Sequence, residues 1–197
     1  NINNLNDNAS PSFTSDSSFS AAENQTAIGT VTAVDADGDD FAFSIDSFGS
    51  EITIDAATGV LEFATAPDYE QRTIYTATVT VTDNNSSDGA SSASQDITVS
   101  VINLNDNAPS FNSDSVARYA VDENTTDIGS IVATDLDGIG LTYSITGTNI
   151  AIQSDGTLTF SSTPNPSEQR FFKETVTVTD SLYTISKDIF VSILAGY

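Results

Sequence analysis

The residues able to do chemistry in this chain are oxygen donors, and they come in clusters. The string "NLNDNAPSF" runs from Asn103 to Phe111, and a near copy, "NLNDNASPSF", begins at Asn4. Around them stand further acidic groups: Glu23 beside Asn24, Asp35 and Asp37 in "DADGD", Asp68 and Glu70 in "PDYEQR", and Asp83 closing "VTVTD". Carboxylates, amides and backbone carbonyls together suit a hard cation such as calcium, which takes about six to eight oxygens at roughly 2.3–2.6 Å. Zinc and copper look for nitrogen or sulfur, and this chain has no histidine and no cysteine. An Asn-Asp-Asn run taken alone is more often an Asx turn, and Asp35 and Asp37 are equally able to cap a turn. The "DADGDD" stretch does not make an EF-hand. That loop needs glycine at its sixth position and glutamate at its twelfth, whereas Gly38 is fourth after Asp35 and Asp46 is twelfth.

Charge points the same way. Twenty-eight acidic residues against five basic ones leave a formal net charge of −23. Nucleic acid is excluded as a partner because its phosphates would be repelled, and cations are the natural counterpart. A solvated acidic surface accounts for many of these carboxylates just as well. Without cysteine there is no disulfide framework, so stability must come from packing or from oxygen-bound metal. No apolar run has the length of a membrane span and no signal peptide is present. The chain therefore reads as a piece of a longer secreted or surface protein, related to a membrane only through parts not in this sequence.

The elements that must position these groups are strands. In "IYTATVTVTD" Tyr75, Ala77, Val79 and Val81 alternate with threonines, the period-2 signature of a half-buried strand. Ile97, Val99 and Val101 repeat the pattern in "DITVSVI", and "ETVTVTD" (Glu174 to Asp180) and "DIFVSIL" (Asp188 to Leu194) do so in the second half. Upstream, Glu23 aligns with Glu123, the Asp35/Asp37 pair with Asp135/Asp137, and "PDYEQR" with "NPSEQR". No segment sustains a helical period, so both halves read as all-β, with strands roughly every 8 to 12 residues, and two stacked β-sandwiches are expected.

The motifs assemble into one order: E-N, D-x-D-G, D-x-E, V-x-V-x-D, then N-x-N-D-N-A-P-x-F. This order resembles the cadherin repeat, and the resemblance covers nearly the whole chain, twice. It implies two tandem Greek-key, immunoglobulin-like sandwiches joined end to end by calcium. The organisation it implies is an N-terminal linker at 1–8, a first repeat at 9–102, a calcium linker at 103–108 and a second repeat at 109–197. The ligands it implies at the joint are Glu23, Asp68 and Glu70 from the first repeat. The linker adds the Asn103 side chain, the Leu104 carbonyl, the Asn105 side chain, the Asp106 carboxylate and the Asn107 carbonyl, and Asp135, Asp137 and Asp180 come from the second repeat. A weaker N-terminal half-site would use Asn4, Asn6, Asp7, Asn8, Asp35, Asp37 and Asp83. Two departures matter. Asn103 stands where the family usually has aspartate, which removes one charge and weakens one of the two or three ions. Pro166 stands opposite Asp68, and nothing like NDNAP follows Leu194, so the second repeat resembles the end of a calcium-joined series. Serine, threonine and asparagine richness resembles bacterial surface repeats more than vertebrate ones.

The function this implies is a calcium-dependent structural and adhesive module, extracellular or on a cell surface, whose partners include identical molecules. Tryptophan-mediated strand exchange is excluded, since the chain has no tryptophan. The alternative is a calcium-dependent carbohydrate-binding module for polysaccharide, with Tyr69, Tyr119, Tyr143 and Tyr183 as the available aromatic platforms. An enzyme is not expected: the clustered carboxylates are accounted for by calcium, and no histidine is available as a base for a serine nucleophile.

Overall fold

The computed structural model describes residues 9–47, 50–84, 89–113 and 116–194. Among them there is no α-helix, and so none long and apolar enough to cross a membrane. The chain divides into two compact units, Asn1–Leu104 and Asn105–Tyr197.

In the first unit the strands are β1 (Ser12–Phe13), β2 (Ser18–Ala22), β3 (Ala27–Thr30), β4 (Ala33–Val34), β5 (Phe41–Ser47), β6 (Ile52–Ile54), β7 (Val60–Phe63), β8 (Ile74–Asp83) and β9 (Ser92–Ile102). They form a four-stranded sheet in the order β2-β9-β8-β5, a three-stranded sheet β3-β7-β6, and the short pair β1-β4. β2 runs parallel to β9 and the other pairings are antiparallel. The second unit repeats this wiring with β10 (Ser110–Phe111), β11 (Ala117–Asp122), β12 (Asp127–Ser130), β13 (Ala133–Thr134), β14 (Thr142–Ile145), β15 (Ile150–Ile152), β16 (Thr157–Phe160), β17 (Phe171–Thr179) and β18 (Thr184–Leu194). Its sheets are β11-β18-β17-β14, β12-β16-β15 and β10-β13.

The period-2 pattern decides what each long strand buries. Ala77, Val79 and Val81 on β8 and Ile97, Val99 and Val101 on β9 enter the first core, joined from the smaller sheet by Ile52, Leu61 and Phe63. Val176, Val178, Ile189, Val191 and Ile193 do the same in the second core with Ile150, Leu158 and Phe160. Each core is closed by an edge-to-face aromatic pair, Phe63 with Tyr75 at 5.0 Å and Phe160 with Phe172 at 4.9 Å, the arrangement ring quadrupoles favour. The threonines on the opposite face pair across strands, Thr80 with Ser94 at 2.8 Å and Thr177 with Ser186 at 2.9 Å. A carboxylate faces inward within β17: Glu174 takes the place that Ala77 holds in the first repeat, and accepts a bond from the Thr146 hydroxyl at 3.0 Å.

Gly59 and Gly156 occupy the same turn of the two repeats, with φ of 72° and 85°. A Cβ there would lie 2.2 Å from the Val31 carbonyl oxygen and 2.0 Å from that of Ile131. Gly59→Ala is therefore expected to destabilise the first repeat by at least about 1–2 kcal/mol for the left-handed backbone alone, with the backbone clash added. Thermal unfolding followed by circular dichroism checks this, and an unchanged melting profile would contradict it.

Candidate metal centre

In the first unit the glutamate of the E-N motif is a structural brace as well as an oxygen donor. Glu23 follows β2 and is 1% exposed; its Oε2 accepts the Tyr69 N–H and its Oε1 the Leu104 N–H, both at 2.8 Å. One carboxylate thus ties the end of β2 to the loop carrying Asp68 and Glu70 and to the residue two past the end of β9. Asn24 completes the motif by taking a left-handed φ of 63°, and Asn124 repeats this at 70°. Asparagine enters that region more readily than most residues, which explains its place after each glutamate. A carboxylate oxygen of Glu23 and one of Glu70 lie within 4.8 Å of each other, like charges that favour a cation near them. Asp68 is occupied by Gln71, accepting its N–H at 3.2 Å and its side-chain amide at 2.7 Å. Asn103 follows β9 directly.

At the other end of this unit, Asp35 Oδ1 accepts three successive N–H groups, from Asp37, Gly38 and Asp39 at 2.8, 3.0 and 3.2 Å. Its Oδ2 is shielded from solvent with no hydrogen-bond partner among the described residues. Asp37 Oδ2 accepts the Ala9 N–H at 2.7 Å, and Asp83, 1% exposed, accepts the Ser91 N–H at 3.0 Å. The other expected donors of this half-site, Asn4, Asn6, Asp7 and Asn8, lie outside the described residues.

The second unit gathers Asn105, Asp106, Asn107, Asp137 and Asp180 into one network. Asp137, 6% exposed, receives the Asn107 N–H on Oδ2 and the Asn107 side-chain amide on Oδ1, both at 2.9 Å. That amide also reaches Asp106 Oδ1 at 2.7 Å. The terminal amide atom of Asn105 lies 3.1 Å from Asp180 Oδ2 and 3.3 Å from Asp137 Oδ2. A nitrogen there donates to both carboxylates, whereas an oxygen there would need a cation between. Asp180 is 1% exposed, and its Oδ1 accepts the Leu182 and Tyr183 N–H groups at 2.8 and 2.6 Å. Burial pushes its pKa up, but the Tyr183 and Leu182 N–H bonds and the Asn105 amide outweigh this and hold it below the ordinary carboxylate value. Asp135, on the same turn as Asp137, has both carboxylate oxygens shielded from solvent and without a hydrogen-bond partner among the described residues.

A charge kept from water without a partner is costly. Two such oxygens on the turn of Asp137, a carboxylate already held by the Asn107 N–H groups, fit an oxygen-binding divalent cation. The motif spacing pointed to the acidic donors. It gave no sign of the N–H groups of Asn107, Leu182, Tyr183, Tyr69 and Leu104 that fix the carboxylates, because a backbone donor carries no sequence signal.

Residues 17–102 match the family model described as Cadherin domain. Among solved structures, human protocadherin-24 EC1-2 is similar, at 18% identity and a TM-score of 0.77, over 96% of this chain and 100% of that one. Mouse cadherin-23 EC22-24 matches at 23% identity and a TM-score of 0.77, over 96% of this chain and 66% of that one. Protocadherin Gamma B2 extracellular cadherin domains 3-6 give a TM-score of 0.81 at 20% identity, over 98% of this chain and 54% of that one. This chain spans 42% of the human desmocollin-1 ectodomain that it also resembles. At these identities the likeness concerns the fold. No curated protein matches the sequence.

Proposed function

We infer that this chain, a tandem of cadherin-like repeats whose first matches the Cadherin domain model over residues 17–102, is a calcium-dependent adhesive module of an extracellular or cell-surface protein. The observation that carries the reading is Asp135, whose two shielded oxygens have no hydrogen-bond partner among the described residues and stand on the turn of Asp137. Calcium supplies positive charge and oxygen coordination. Glu23, Asp68 and Glu70, with Asn103 and the Leu104 carbonyl, are the donors assigned to the first repeat. Asn105, Asp106, the Asn107 carbonyl, Asp135, Asp137 and Asp180 are those assigned to the second. Seven of these are carboxylates, which repel one another until two or three divalent ions offset most of their charge. With calcium the linker becomes stiff, and without it free to bend. Asp35, Asp37 and Asp83 form the weaker half-site, and Asp35 Oδ2 repeats the Asp135 situation in part.

The direct test is calcium titration with small-angle scattering. Calcium is expected to narrow the distribution of end-to-end distances while the β-sheet circular dichroism stays constant, and Asp106→Ala in calcium should scatter like the native chain in chelator. Identical scattering with calcium and with chelator would overturn the reading. A second result is expected at Asn103. Asn103→Asp restores a carboxylate, and because carboxylate number tunes affinity in oxygen sites, isothermal titration should show tighter calcium binding. Unchanged or weaker binding would remove Asn103 from the ligand set.

A further inference from the structure

The repeated wiring allows a position-by-position comparison, and one row of the outer sheet face differs in kind. Register places Arg118 on β11 opposite Phe190 on β18, and Phe190 opposite Lys173 on β17. The same row in the first repeat is Ser18, Thr98 and Thr76. The adjacent row pairs Phe171 with Ser192, where the first repeat pairs Ile74 with Ser100. One repeat thus carries hydroxyls where the other carries a cation, an aromatic ring and a second cation, on strands that fold alike without them.

Arg118 lies over the Phe190 ring at 5.0 Å and Lys173 at 5.7 Å. Phe171, two residues before Lys173 and on the same face, is 75% exposed. Lys173 also meets Asp188 at 2.7 Å, an exposed pair that leaves its ammonium open to solvent. Four of the chain's five basic residues lie in the second unit, Arg118, Arg170, Lys173 and Lys187, against Arg72 in the first. In a chain of net charge −23 this row brings together two of the five basic side chains, beside the single carboxylate of Asp188, and so offers a polyanion positive charge.

We propose that the Arg118–Phe190–Lys173 row with Phe171 binds a carboxylate-bearing polysaccharide, a polymer of uronic acid sugars. The exposed Phe171 ring offers a flat apolar face for the C–H face of a sugar. The Arg118 guanidinium, a planar fork that matches a carboxylate, takes the acid group. Lys173 adds a point charge toward the next one. Of the tyrosines expected as platforms, Tyr183 is exposed, and the other three serve otherwise. The Tyr119 hydroxyl donates to the Ser130 carbonyl at 2.8 Å, the Tyr143 hydroxyl accepts the Ala133 N–H at 2.9 Å, and Tyr69 packs against the first core. The site does not depend on the calcium reading, since strands alone build it.

The test uses the whole chain at fixed calcium and the first repeat's own residues as substitutions, Arg118→Ser with Lys173→Thr, and Phe171→Ile separately. Short oligogalacturonates are the probe, with neutral dextran, dextran sulfate and polyacrylate as comparisons. The native chain should bind oligogalacturonate in a salt-sensitive way and ignore neutral dextran. The double variant should bind about tenfold more weakly or worse, since bonds between charged partners are lost, with its melting profile kept. Phe171→Ile should weaken binding to oligogalacturonate but not to polyacrylate, which has no sugar ring. Equal binding by native chain and double variant overturns the proposal. So does binding to dextran sulfate as tight as to oligogalacturonate, or equal loss on polyacrylate for Phe171→Ile. Salt-sensitive self-association that the double variant loses, without sugar binding, overturns it in favour of a second copy as occupant.

Discussion

Asp135→Asn is expected to act in opposite directions with and without calcium. In chelator it should stabilise the second repeat by about 1 kcal/mol, because a neutral amide replaces a carboxylate held from water with no hydrogen-bond partner among the described residues. For a repeat of this size that is a rise of roughly 4–8 °C in the melting midpoint. In calcium the order should reverse. The variant loses a charged ligand, binds calcium about tenfold more weakly or worse, and forgoes the stabilisation by mass action that an ion binding only the folded state provides. Differential scanning calorimetry of native and variant chains in both conditions decides it. A variant less stable than native in chelator would mean that Asp135 has a structural partner and is not waiting for an ion.

Glu23→Ala should show the contrary pattern, a large loss in both conditions. The carboxylate is buried and accepts the N–H groups of Tyr69 and Leu104. Removing it leaves two part-buried donors without their acceptor, at up to about 1–3 kcal/mol each, together with a small cavity. The first repeat is expected to melt lower by on the order of 10 °C or more even in chelator. Glu23→Gln, which keeps one acceptor oxygen and the side-chain volume, should recover part of the loss in chelator and little of the calcium affinity. If Glu23→Ala melts like the native chain in chelator, the two N–H groups find water or another acceptor, and Glu23 is a ligand alone.

Much of the fold was legible in the sequence because its signal is local. Alternation on β8, β9, β17 and β18 requires only that successive side chains point to opposite faces. The residues read as inward-facing, Val79, Val81, Ile97, Val99 and Val101, are the ones the first core buries. The internal repeat carried the domain count in the same way. Of the candidate centre, the donor types and their order could be read, since oxygen chemistry belongs to each residue by itself. Aromatic exposure could not: Tyr119 and Tyr143 were candidates and are engaged in hydrogen bonds, whereas Phe171, not among the candidates, is the most exposed aromatic ring among the described residues. Exposure depends on which strand lies beside which, and a sequence does not display that.

By itself the sequence determined a chain of paired β-repeats rich in hard oxygen donors, because periodicity and ligand chemistry are properties of residues in order. Only the tertiary structure decided what each donor does. Asp135 and Glu23 belong to the same motif series and carry the same charge. One has both oxygens without a hydrogen-bond partner among the described residues, whereas the other holds two backbone N–H groups, one of them 81 positions away. The physical reason is that the free energy of a buried charge is set by the dipoles around it. Those dipoles are brought together by long-range strand pairing.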